Sequence, residues 1–204
     1  MSNIKNYGDN RILFLDISSS CTGWVVASQH VGRKEATIHK AGVIWFDPKW
    51  SHGEKYNYLT KFIENIAYIQ YKVDGIVAEG YMVNRKRMCG VLVIPEATGA
   101  IKSCCYELEP PLTFDSILPQ TWRAALGIKK DKTKAGSAAW KDPAKKYVNT
   151  IFPDTFPKKM VSNITGKERA TPTDLYDAIC IALAWFTKDP NNCTLFRIDP
   201  EVLL

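Results

Sequence analysis

Residues 11–26, RILFLDISSSCTGWVV, set a single carboxylate at the end of one apolar run and follow it at once with a second. The first run, residues 11–18, reads as a buried strand. The second, Thr22–Ser28, is rich in β-formers, and the small polar residues between them make a hairpin turn. An acid at the end of a buried strand is costly unless something pairs with it. A chain that places Asp16 there must bring other groups to it, and that requirement narrows the folds available.

The rest of the chain supplies a pattern. Ala36–Phe46 reads as a third strand. Over Glu54–Lys72 the period changes, and Leu59, Phe62, Ile63, Ile66 and Ile69 fall at helical spacing. A short buried strand over 73–80 ends in Glu79–Gly80, and Asn84–Leu108 is mostly helical with Pro95 as a break or a fresh start. Residues 112–118 form a further strand and Pro119–Leu126 a short helix. Residues 129–146 are lysine-rich with few large apolar side chains and read mostly as exposed loop, with a helix over Pro143–Phe152. The last strong element is the helix from Pro172 to Thr187. Three strands in a meander followed by helix, strand, helix, strand and a late helix predict an α/β chain. Its mixed five-stranded sheet, three strands antiparallel and two parallel, is flanked by helices in the layout of a ribonuclease-H-like fold.

Length and composition are consistent with that. The 204 residues are 46% hydrophobic, enough for one domain over 1–204 with a sizeable core and a lysine-rich insertion at about 129–170. A net charge of +6 and a pI near 8.9 favour polyanionic partners mildly. Residues 1–10 lack the layout of a secretory signal, and the longest apolar run, Ala178–Phe186, is too short to span a bilayer. A soluble cytoplasmic protein with no membrane partner is expected. The six cysteines show no CxxC pair, and His30, His39 and His52 have no ligand spacing toward them, which argues against zinc.

The late helix carries the next acids. In RATPTDLYDAICIALAWF, Thr171, Pro172 and Asp174 make a helix start, with Thr171 as N-cap and Asp174 in the first turn. Capping alone would account for Asp174. Asp177 heads the apolar stripe of Cys180, Ile181 and Ala184 and so points toward the sheet. Glu79 ends its strand as Asp16 ends its own. Any one of these could be a solvated acid, but four acids from three elements aimed at one sheet end would repel one another unless cations neutralised them. Hard oxygen donors without Cys or His favour Mg²⁺, with Mn²⁺ as a substitute.

At this point LDISSSCTGWVV, VAEGYMVN, EATGAIKSCCYEL and TPTDLYDAICIALAW, in that order from about residue 11 to 187, resemble the successive motifs of the RuvC-type Holliday junction resolvases, with the phage-encoded branch nearest. The resemblance implies a homodimeric, structure-selective endonuclease that resolves four-way DNA junctions by two-metal hydrolysis, leaving 5′-phosphate and 3′-hydroxyl ends. It places the four metal-binding acids at Asp16, Glu79, Asp174 and Asp177, with Asp16 bridging two Mg²⁺. A phage-encoded member would act in its bacterial host's cytoplasm. The family's stacking aromatic falls on Met82, with Tyr81 beside it. Its basic residues near the scissile phosphate map to Arg123 and to Lys145 or Lys146, of which Lys145 is the expected catalytic lysine. Arg85, Lys86 and Arg87, together with the lysines of 129–146, are further candidates for the DNA backbone. Trp122 and Trp140 are candidates for base stacking or for packing. The Arg123–Thr171 stretch is longer than in the compact bacterial members. Three other readings compete: a ribonuclease-H-like nuclease for flaps or RNA–DNA hybrids, an inactive branched-DNA-binding protein, and a fragment of a sugar-kinase/actin-like ATPase. The chain is too short for the last.

Overall fold

The computed structural model describes residues 10–30, 34–81, 93–133, 138–187, 195–199 and 202. Its main sheet begins with the expected meander: β1 (Asn10–Ile17), β2 (Cys21–Gln29) and β3 (Glu35–Trp45), each antiparallel to the one before. β4 (Gly75–Glu79) lies parallel to β1, and β5 (Thr113–Ile117) lies parallel to β4.

A sixth strand not expected from the sequence, β8 (Leu195–Ile198), pairs parallel with β3, giving the order β5-β4-β1-β2-β3-β8. It has only four residues and covers an edge, so its own sequence carries little periodic signal. It is tied down by the Arg197–Glu35 ion pair at 2.9 Å and by a line of side chains in which His39 Nδ1 meets Asp199 at 2.7 Å and Nε2 meets Ser28 at 2.8 Å. Ser28 is fully buried, so this serine–histidine–aspartate line fastens strands and offers no hydroxyl to a substrate.

Period-two alternation sorts the sheet into two faces. Leu13, Leu15, Trp24, Val26, Ile76 and Ala78 face α1 (His52–Phe62) and α2 (Val93–Glu107). Ser51 and Glu54 close a capping box at the start of α1. The helix continues as a π-helix over Ile63–Gln70. Its longer turn shifts the side-chain phase, so Ile69, expected in the apolar stripe, is 64% exposed.

Phe14, Val25, Ala27, Val77 and Ile117 face the other way, toward α3 (Pro119–Ala125), α4 (Ala138–Ile151) and α5 (Thr173–Thr187). α5 is buried almost all round, from Leu175 to Phe186, as a helix between a sheet and other helices must be.

The lysine-rich stretch is more ordered than its composition suggests. α4 starts before Pro143, which sits inside the helix. Proline has no N–H for the Ala139 carbonyl four residues back. That carbonyl instead accepts the N–H of Asp131 at 2.9 Å, which pins the preceding loop to α4. Further on, β6 (Lys159–Val161) and β7 (Glu168–Ala170) form a small hairpin. No helix among the described residues is long and apolar enough to cross a membrane.

Candidate metal centre

The two strand-end acids meet because of register. β1 and β4 run parallel with Leu15 beside Ala78, so the next residues, Asp16 and Glu79, come alongside each other. Alternation puts both on the face of Phe14 and Val77, which is the face α5 covers.

Gly23 is paired directly across from Asp16 on β2. A Cβ on Gly23 would overlap the Asp174 carbonyl and lie 2.6 Å from the Leu175 nitrogen. Only glycine lets the first turn of α5 settle this closely onto the sheet, and that approach brings Asp174 and Asp177 to Asp16.

The electrostatics reflect four acids gathered in one place. Asp16 is only 6% exposed. Burial first, then the charges of Glu79, Asp177 and Asp174, push its carboxyl well above the ordinary 3.8. Glu79 is also raised by burial. Opposing that rise are the Trp122 indole N–H, which donates to Glu79 Oε1 at 2.8 Å, the Arg123 guanidinium at 4.0 Å, and a hydrogen bond from Asp16. The two carboxyls thus act on one another directly. The Asp174 carboxylate accepts the Cys21 thiol at 3.3 Å, and burial followed by the Asp174 charge pushes that thiol up to about 12.

Among the described residues no three Asp, Glu, His or Cys side chains stand at metal-ligand spacing as they are turned here. The donor set nevertheless suits a hard divalent cation: all four acids offer oxygen, and burial together with the charges of Glu79, Asp177 and Asp174 penalises the ionised form of Asp16, a penalty a cation would relieve. Thr171, expected as the N-cap of α5, instead gives its hydroxyl to the Pro157 carbonyl.

The surrounding residues divide by position. Lys145 on α4 holds its ammonium 5.3 Å from the ring centroid of Tyr176, which lies between Asp174 and Asp177 in the chain. Lys146 is exposed and turns instead toward an open cleft of about 520 Å³ shared with Lys129, Tyr147 and Thr150. Tyr81, 44% exposed, follows Glu79 and Gly80 at the end of β4. Arg123 is 19% exposed and lies against the rings of Trp122 and Trp140. Trp122 is fully buried, so its ring is not open to a base. Met82, Arg85, Lys86 and Arg87 lie outside the described residues. Cys21 is a site residue that the sequence analysis does not single out. Its place two residues before Gly23, on the same face, was the signal for its contact with Asp174.

Neither a protein-family model nor a curated protein sequence matches the chain. Solved structures do. Thermus thermophilus RuvC in complex with a Holliday junction substrate superposes with a TM-score of 0.60 at 15% identity, covering 85% of this chain and 91% of that one. A second Thermus thermophilus RuvC structure gives 0.57 at 16%, covering 85% and 92%. The yeast mitochondrial Holliday junction resolvase Ydc2 gives 0.55 at 16%, covering 90% and 80%. This chain has the ribonuclease-H-like fold of the RuvC-type resolvases.

Proposed function

We propose that the protein is a metal-dependent endonuclease that resolves four-way DNA junctions. The observation that carries this reading is the convergence of Asp16, Glu79, Asp174 and Asp177, from β1, β4 and α5, close enough for each to perturb another's charge. The likeness to RuvC bound to its junction substrate supports the substrate class.

Two divalent cations, Mg²⁺ or Mn²⁺, held by these four acids would supply Lewis-acid stabilisation of a phosphodiester and an activated water, giving 5′-phosphate and 3′-hydroxyl ends. Asp16, central and the most buried of the four, would help to hold them. Glu79 is fixed from the α3 side by the Trp122 N–H, and Asp174 is steadied by the Cys21 thiol. Lys145, presented over Tyr176, would meet a phosphate at the site. Tyr81, exposed two residues after Glu79, would offer a ring to an unpaired base. Arg85, Lys86, Arg87 and Lys146 would extend the grip along the backbone, with Met82 next to the opened base.

Two opposed nicks require two active sites, so the working form is a homodimer. Light scattering at micromolar concentration should then give twice the chain mass. The decisive experiment offers labelled four-way junction, duplex, flap and RNA–DNA hybrid to the purified protein with and without Mg²⁺. Mg²⁺-dependent, paired, symmetric nicks in the junction alone support the proposal. Preference for flap or hybrid would assign it to another ribonuclease-H-like nuclease, and binding without cleavage would make it a branched-DNA-binding protein.

A further inference from the structure

We infer that Trp122, Arg123 and Trp140 form a clamp that positions Glu79 for cation binding. The inference rests on reading Glu79 as a cation ligand, as proposed above. Four observations converge on it. The Trp122 indole N–H, which can only donate, gives its one hydrogen bond to Glu79 Oε1 at 2.8 Å. Trp122 is itself fully buried, so its ring cannot swing away from that bond. The neighbouring Arg123 places a guanidinium nitrogen 4.0 Å from the same oxygen. Arg123 in turn lies against two indoles, with its guanidinium carbon 4.6 Å from the Trp122 ring centroid and 4.9 Å from that of Trp140.

An arginine in the open would seek carboxylates or phosphates with its full fork. Here the side chain is 19% exposed, and its buried Nε has no hydrogen-bond partner among the described residues. The faces of the two rings hold the guanidinium, as cation–π contacts do when partly desolvated. Trp122 and Arg123 thus both meet Glu79 at the same oxygen, Oε1. Trp140 belongs to α4, the helix that also carries Lys145. The clamp thus ties the seating of α4 to the orientation of a carboxylate on β4. Residues that orient a metal ligand from behind govern cation affinity without touching the cation.

The test measures Mn²⁺ binding to the whole protein by the electron paramagnetic resonance signal of free Mn²⁺, alongside junction cleavage as Mg²⁺ is varied. Trp122→Phe keeps most of the ring and removes the N–H. Trp140→Leu removes one of the rings against Arg123 at a half-buried position. Trp122→Phe should weaken Mn²⁺ binding by about tenfold, within the range seen when groups behind metal ligands are changed. The Mg²⁺ needed for half-maximal cleavage should rise by a similar factor, while the rate at saturating Mg²⁺ falls less. Trp140→Leu should move both in the same direction by less. A purely structural role would lower the melting temperature and leave cation affinity where it was. Unchanged affinity in folded Trp122→Phe overturns the clamp; should that variant fail to fold, unchanged affinity in Trp140→Leu does so. Weaker Mn²⁺ binding in a protein whose wild type cuts no junction would uphold the clamp and refute the proposed function. Junction cleavage with Mn²⁺ affinity unmoved would do the reverse.

Discussion

Gly23 and Asp174, 151 positions apart in the chain, touch through their backbones: the space a Gly23 side chain would fill is already held by the Asp174 carbonyl. Gly23→Ala would drive a methyl group into main chain rather than into a flexible side chain, so the helix must move. Overpacking of this kind costs about 1–3 kcal/mol. Because what moves carries Asp174 and Asp177, cleavage at a temperature where the variant is fully folded should fall by more than stability accounts for. Melting curves and turnover per folded molecule measure the two effects separately. A variant that is less stable yet cuts at the wild-type rate would show that the seating of α5 does not set the site.

Asp16→Asn and Asp177→Asn keep shape and remove charge from the acid cluster. Cleavage should drop by more than about 10²-fold, since even changes behind metal ligands cost 10–100-fold. Junction affinity, measured by gel shift in Ca²⁺ or EDTA, should hold or rise as repulsion of phosphate falls. For Asp174, stability distinguishes the roles. A helix-cap residue changed to Ala loses about 1 kcal/mol and leaves turnover per folded molecule intact, whereas a cation ligand loses turnover.

The raised carboxyls of Asp16 and Glu79 make stability depend on pH in a definite direction. Burial and like charges penalise their ionised forms in the folded protein, so folding binds protons more tightly than the unfolded chain does. Their contribution is fully present below the ordinary values of 3.8 and 4.5 and is lost as pH rises through the raised folded values. A cation competes with those protons. The rise in melting temperature on adding Mn²⁺ should therefore be larger at about pH 8 than at about pH 5, and Asp16→Asn should flatten the difference. An Mn²⁺-induced shift independent of pH would argue against cation binding at these acids.

Lys145 and Lys132 offer a matched pair. Lys145 stands over Tyr176, while Lys132 lies exposed in a turn before α4. Lys145→Ala should make the plot of log junction affinity against log salt shallower by about 0.9, one lost phosphate contact on a duplex arm. It should also slow single-turnover cleavage at saturating enzyme. Lys132→Ala should change neither. Equal and negligible effects at the two positions would make both lysines solvated surface.

The local pattern determined a good deal. The apolar runs of β1 and β4 placed Asp16 and Glu79 at strand ends, and alternation put Asp16 on the side of Phe14 and Glu79 on the side of Val77, because side-chain direction within a strand follows from sequence parity alone. The stripe on α5 turned Asp177 inward for the same kind of reason, with a helical period. The order of elements then specified the meander and the parallel strands after it.

Tertiary structure decided what sequence spacing cannot express. β8 pairs with an edge that exists only once β3 is in place. The carbonyl that Pro143 frees on Ala139 found its donor in a loop residue, Asp131. Trp122 reaches Glu79 across 43 positions and Cys21 reaches Asp174 across 153. Parity and period fix which way a side chain points. Which other side chain waits there depends on how distant segments are brought together, and that is set by the packing of the whole core, here at the one place where a glycine lets a helix lie against the sheet.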